Sequence, residues 1–194
     1  YKGEQDIDMP RITTMVRGYQ PDIIMVDRSV PGKYENYETP ERGIPEEKLD
    51  YPWESCITLG EDWVYVPTDV YKLPEEVLQI LIGIVAKGGN LVLVVGPKPD
   101  GTLDEDAVWR LERVGEWLTA NGDAIYATRP TEKYNEGNVW FTVSKEGGRM
   151  FAIICPDESG IIPETVVWNG NIPSASSSIT ELSSGSEIEW KLTD

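Results

Sequence analysis

Pro74-Glu75-Glu76-Val77-Leu78-Gln79-Ile80-Leu81-Ile82-Gly83-Ile84-Val85-Ala86-Lys87-Gly88-Gly89-Asn90-Leu91-Val92-Leu93-Val94-Val95-Gly96-Pro97 decides the fold class. Val77, Leu78, Leu81, Ile82 and Val85 recur on one stripe of an amphipathic helix. Pro74 suits its first turn, and Gly88-Gly89 stops it. Leu91 to Val95 is then a short continuous apolar run, the pattern of a strand covered on both faces. A helix running directly into such a strand is the unit of a parallel sheet with helices outside.

The pattern extends in both directions. Downstream, Asp104 is placed to cap a helix with Val108, Leu111, Val114 and Leu118 inward, stopped at Asn121-Gly122. Upstream, Trp53 to Leu59 reads as a second strand. Ile23-Ile24-Met25-Val26 reads as a third, ending in the charged pair Asp27-Arg28. Before it, Asp8-Met9-Pro10 opens a helix carrying Met9, Ile12 and Val16, with Gly18 near its C-cap. Residues 29–52 read as one long polar loop, and a loop of that length in a compact domain usually has a function.

These alternating units predict an α/β fold, the C-terminal part of a (β/α)8-like barrel over residues 1–122. Three strands cannot close a barrel of eight, so the remaining strands are expected upstream of this chain. The texture changes after residue 122. Val139–Val143, Met150–Ile154, Thr165–Trp168 and Ile188–Leu192 are short alternating runs, with Gly147-Gly148 as a hairpin turn. Residues 123–194 therefore read as an antiparallel β-sandwich, whole or in part, with a structural role.

Composition narrows the chemistry. The 194 residues are 40% hydrophobic and carry a formal net charge of −17, from 34 acidic and 17 basic side chains. Such a surface repels phosphate backbones and anionic lipid, whereas a neutral sugar is not repelled. No apolar run approaches the roughly 20 residues of a bilayer span. There is no histidine, and the two cysteines lie far apart. A metal cluster, a disulfide framework and a cysteine hydrolase are all disfavoured, and acid–base chemistry falls to carboxylates. The glycines around Gly96 match no phosphate-loop pattern, so no cofactor is expected.

Three places could carry chemistry. Glu41 lies on the loop leaving a strand end, among Tyr34 and Tyr37. A carboxyl held near aromatic rings is less solvated and suits a general acid for a departing glycosidic oxygen. The competing reading is that Glu35, Glu38 and Glu41 are solvated loop acids. Arg28 offers a rigid fork of donors for sugar hydroxyls, or else belongs with Asp27 to an ion pair at the sheet rim. Trp53, Trp63 and Tyr65 could stack on apolar sugar faces. For Trp53, inside a strand, packing is the better reading; for Trp63, in a loop beside Asp62, both stand.

Several blocks together resemble a known family. They are Trp53-Glu54-Ser55, Trp63-Val64-Tyr65, Val85-Ala86-Lys87-Gly88-Gly89-Asn90-Leu91-Val92-Leu93, Gly96-Pro97, Asp100-Gly101-Thr102, Gly115-Glu116-Trp117-Leu118 and Asn121-Gly122-Asp123-Ala124-Ile125-Tyr126. In order and spacing they resemble the α-L-fucosidases of glycoside hydrolase family 29, over roughly residues 1–130. Tyr34-Glu35-Asn36-Tyr37 with Thr39-Pro40-Glu41 resembles the branch acting on α-1,3/1,4-linked fucose. The resemblance implies a barrel followed by a β-sandwich, and retaining hydrolysis of terminal fucose through a covalent fucosyl intermediate. It implies that Glu41 is the general acid/base and that Arg28 and Trp63 bind fucose. It places the nucleophilic Asp, and the family's binding histidines, upstream of Tyr1, so this chain alone is expected to be inactive. The implied partner is a fucosylated glycan or glycoconjugate, and a periplasmic or extracellular location fits better than a cytoplasmic one. The alternative is a carbohydrate-binding or packing module that never hydrolyses.

Overall fold

The helix–strand unit read from residues 74–97 is present in the computed structural model, which describes residues 7–26, 32–157 and 159–192. The element order opens with α1 (Met9–Tyr19), β1 (Glu54–Thr58), α2 (Pro74–Ala86), β2 (Asn90–Val94) and α3 (Glu105–Asn121). It continues with a 3-10 turn over 122–124 and then β3 (Thr128–Glu136), β4 (Val139–Ser144) and β5 (Met150–Ile154).

Local chemistry explains the helix ends. Pro74 occupies the first turn of α2, and the Glu76 carboxylate accepts from the Leu73 N–H at 2.6 Å. Two of the orphan donors at that terminus are thus dispensed with or satisfied. Gly88 follows with φ +86, a value that glycine adopts without a Cβ penalty. The Asp104 side chain accepts from Asp106 N–H at the start of α3. Gly18 lies near the C-terminal end of α1, as expected, but is not itself the cap. Gln20 is the C-cap of α1, donating its N–H to Val16 O at 2.8 Å, and Gly18 lies inside the helix.

β1 and β2 pair in parallel, Glu54 opposite Asn90 through Thr58 opposite Val94. The chain between them is α2, which packs on β2 and α3. Leu59, Val77, Ala107 and Val114 form the core under these helices, joined by Leu78, Leu93, Val95 and Leu111. Leu59 and Val77, fully buried, each contribute about 1.5–3 kcal/mol relative to exposure. Two strand expectations need correction. β2 is covered on one face only, with Val92 38% exposed. Ile23 to Val26 is not a continuous strand: only Val26 is bridged, and Ile24 is 70% exposed. In β2 Leu93 packs into the core under the helices, whereas Val92, the adjacent position, points to the opposite face.

From residue 32 on, the stretch read as a loop to residue 52 is more regular than a loop. Residues 37–43 run parallel to β1: Glu54 N–H donates to Glu38 O at 3.0 Å, and Arg42 N–H donates to Cys56 O at 3.0 Å. Ser55, fully buried, adds its hydroxyl to Gly43 O at 2.5 Å. On the other side Val26 bridges Tyr37, and Asn36 locks the pair by accepting from Met25 N–H at 2.9 Å. Pro40 has no N–H to give, so the pairing is broken into bridges.

The antiparallel sheet has the order β3-β4-β5. β4 and β5 fall where expected, and Gly147 and Gly148 turn between them with φ +78 and +79. The runs 165–168 and 188–192 are irregular instead, and β3 was not expected. β3 is polar and contains Pro130, which an edge strand accommodates, and its register slips between Pro130 and Asn135. A second core cluster of Ile82, Ala124, Ile125, Ile153 and Cys155 joins α2 to this sheet. Burial pushes the Cys155 thiol pKa up.

Glu136 pins the irregular segment to β3. Its carboxylate accepts from Asn169 N–H at 2.7 Å and Gly170 N–H at 2.6 Å, and pairs with Lys133 at 2.8 Å. The Lys133 contact first, then the backbone donors, lower its pKa from 4.5 to about 2. A depressed carboxylate stabilises the folded state above its unfolded pKa. That contribution is therefore lost as pH falls from about 4.5 toward 2. Amide exchange at Asn169 and Gly170, corrected for intrinsic rates, is expected to rise over that window. In Glu136→Gln it should already be fast at neutral pH; a parent-like, pH-independent rate would refute the assignment.

Candidate active site

The carboxyl ends of the parallel segments gather the polar and aromatic side chains. Three pieces meet there: the end of the 37–43 segment, the loop 59–72 after β1, and the loop after β2. Each follows from a local necessity. Thr58 Oγ1 donates to Gly60 O at 2.6 Å, and Lys72 Nζ donates to Thr58 O at 2.9 Å, which turns the chain sharply out of β1. The Asp69 carboxylate then accepts from Glu61 N–H at 2.8 Å. A Cβ on Gly60 would lie 2.0 Å from that carboxylate, so any other residue there would displace Asp69 from its bond to Glu61. A Cβ on Gly96 would lie 2.3 Å from Tyr65 N, so the loop after β2 supports Val64 and Tyr65 by backbone contact.

Trp63 sits between these supports and is 38% exposed. The Arg42 guanidinium lies over its ring, 4.8 Å from the centroid, and donates to Glu61 O at 2.6 Å. Lys98 is paired with Asp104 at 3.4 Å; desolvation is the largest single influence on that ammonium and lowers its pKa, but the hydrogen bond and charge of Asp104, with Tyr65 and Glu105, together raise it above its ordinary value. The Asp100 carboxylate takes both the N–H and the hydroxyl of Thr102, which lower its pKa. These are turn-closing contacts, and no group of three or more potential metal ligands occurs among the described residues.

The residues singled out from sequence fall as follows. Glu41 is exposed and its backbone bridges Cys56. Its neighbour Arg42 reaches Trp63, so the structure brings the Glu41 segment and the Trp63 loop together. Asp27 and Arg28 lie outside the described residues. Trp53 is packing: it is 1% exposed and lies under Gly89. Glu38 is half-buried and accepts from Tyr51 OH at 3.0 Å. One Glu35 carboxyl oxygen is buried with no hydrogen-bond partner among the described residues. Arg42 was missed; the signal lay in its place directly after Glu41, but its contact with Trp63 is tertiary.

A model of the alpha-L-fucosidase family matches residues 2–123 of the chain. The chain belongs to the alpha-L-fucosidase family. It is 33% identical over 132 residues to an alpha-L-fucosidase of Dictyostelium discoideum, covering 64% of this chain and 28% of that protein. It is 32% identical over 169 residues to the tissue alpha-L-fucosidase of Homo sapiens, covering 82% and 34%. The crystal structure of the Thermotoga maritima alpha-fucosidase in complex with fucose superposes with a TM-score of 0.77 at 25% identity, over 96% of this chain and 43% of that one. This fucosidase-family chain thus spans about a third of the length of the curated relatives it matches.

Proposed function

We propose that this chain is the C-terminal portion of a retaining exo-α-L-fucosidase that releases terminal α-L-fucose from glycans. The observation that carries the proposal is the family match over residues 2–123. In this reading residues 1–122 complete a catalytic (β/α) barrel, and residues 123–194 form a β-sandwich packed against it. Glu41 protonates the departing glycosidic oxygen and later activates the water that cleaves the fucosyl intermediate. Arg28 donates to fucose hydroxyls, and Trp63 covers the apolar face of the sugar around its methyl group. A retaining mechanism needs a second carboxyl roughly 5–5.5 Å from the first, and we assign it to polypeptide preceding Tyr1. Coverage of only about a third of the curated relatives supports that division. The 34–41 stretch favours α-1,3/1,4-linked fucose, which turnover of Lewis-type glycans against α-1,2-linked ones would test.

One observation favours a second carboxyl for the acid/base role. Glu38 is half-buried where Glu41 is exposed, and acid/base groups of glycosidases work in sites that exclude water.

The deciding experiment compares the 194-residue chain with a version extended upstream, on an aryl α-L-fucoside. Turnover is expected only in the extended protein. Turnover by the short chain that vanishes in Asp27→Asn would instead make Asp27 the nucleophile. In the extended protein, Trp63→Ala should weaken fucose binding by about 1–3 kcal/mol, from the area such a ring covers. Arg28→Lys should also weaken it, because an ammonium lacks the planar fork. Parent-like calorimetric affinity in both variants would remove both residues from the fucose site.

A further inference from the structure

We propose that Arg42 is a positioning residue that clamps the Glu41 segment to the Trp63 loop, so that the acid/base strand and the sugar-stacking ring are held as one unit. Four observations converge on it. Arg42 adopts φ +51, a conformation that costs a non-glycine residue energy and persists only where the surroundings impose it. Its own N–H donates to Cys56 O at 3.0 Å, which fixes the backbone at the end of the 37–43 segment. Its guanidinium lies 4.8 Å from the Trp63 ring centroid. The same guanidinium donates to Glu61 O at 2.6 Å, a charge-assisted bond of the stronger kind.

The loop needs such a clamp. Asp69 holds Glu61 through its N–H, and Gly96 abuts the backbone of Val64 and Tyr65. Between those supports the Trp63 side chain remains 38% exposed, and a cation over its face fixes the ring plane. A lysine could supply the charge but not both contacts at once, since it lacks a planar fork. Arg42 is exposed, so a purely packing role leaves the strained backbone unexplained.

This inference rests on the fucosidase reading for its kinetic consequence but not for its structural one, and the test separates them. In the full-length protein Arg42→Gly removes the clamp while favouring the positive φ, so Tm should not fall. Hydrogen exchange of the free protein should be about tenfold faster at Glu61 to Tyr65. KM for an aryl fucoside should rise about fivefold, and kcat on a natural glycan should fall about tenfold. Arg42→Lys should lie between parent and Arg42→Gly. In Arg42→Gly/Trp63→Ala, KM should be no higher than in Trp63→Ala alone, because the clamp acts on KM through that ring. Unchanged exchange at 61–65 overturns the clamp. So does faster exchange with parent-like kinetics while Trp63→Ala raises KM. If Trp63→Ala leaves KM unchanged, the Trp63 assignment fails instead, and exchange together with glycan kcat decides for or against Arg42.

Discussion

Glu41→Ala in the full-length enzyme is expected to lower kcat/KM on a natural fucosylated glycan by about 10²–10⁴-fold, the range a positioned general acid supplies. An aryl fucoside with a good leaving group needs little protonation and should lose far less in its first step. Azide should partly restore turnover, because an anionic nucleophile attacks the intermediate without a general base. Glu38→Ala is the matched comparison. It lies three residues earlier on the same β-paired segment and holds Tyr51 at 3.0 Å. If Glu38→Ala shows the substrate-dependent loss and azide rescue while Glu41→Ala is close to parent, the role belongs to Glu38. Equal losses on both substrates, without rescue, in both variants would remove the acid/base role from the segment altogether.

Gly89→Ala should be among the most destabilising single substitutions in the chain. A Cβ there would lie 2.4–2.6 Å from the Trp53 ring, which is 1% exposed and cannot swing away into solvent. Gly89 also donates its N–H to Ile84 O, and Asn90 N–H donates to Trp53 O, so the backbone is held against the ring from both sides. Overpacking of this kind costs about 3 kcal/mol, which for a protein of this size corresponds to a Tm lower by about 6–12 °C. Gly115→Ala in α3 is the control. Nothing lies within 4 Å of its added Cβ, and a helical alanine should stabilise by about 0.5–1 kcal/mol. A Gly89→Ala protein that melts with the parent would show that Trp53 is not rigidly packed. A second variant, Trp53→Phe/Gly89→Ala, should recover part of the loss, because the smaller ring relieves the contact.

Helical and strand periodicity were legible wherever packing follows the chain locally. The α2–β2 unit, the Asp104 cap and the Gly147-Gly148 turn stand where the sequence pattern puts them, because their determinants lie within a few residues of each other. β3 was illegible for the opposite reason. Thr128-Arg129-Pro130-Thr131-Glu132-Lys133-Tyr134-Asn135-Glu136 is polar and proline-broken, and it is a strand only because β4 lies beside it. The runs 165–168 and 188–192 have strand-like composition but form no named strand. Strand propensity alone does not select a pairing.

Sequence by itself determined the α/β class, the family and the candidate carboxylates, since these depend on residue identity and short-range order. Only the tertiary structure decided that residues 37–43 pair with β1, that Trp63 is half-open, and that Arg42 lies over Trp63. Those outcomes rest on contacts between residues 12 or more positions apart, such as Ser55 with Gly43 and Arg42 with Glu61. The free energy of such contacts depends on which surfaces the fold brings together, and no local pattern encodes it.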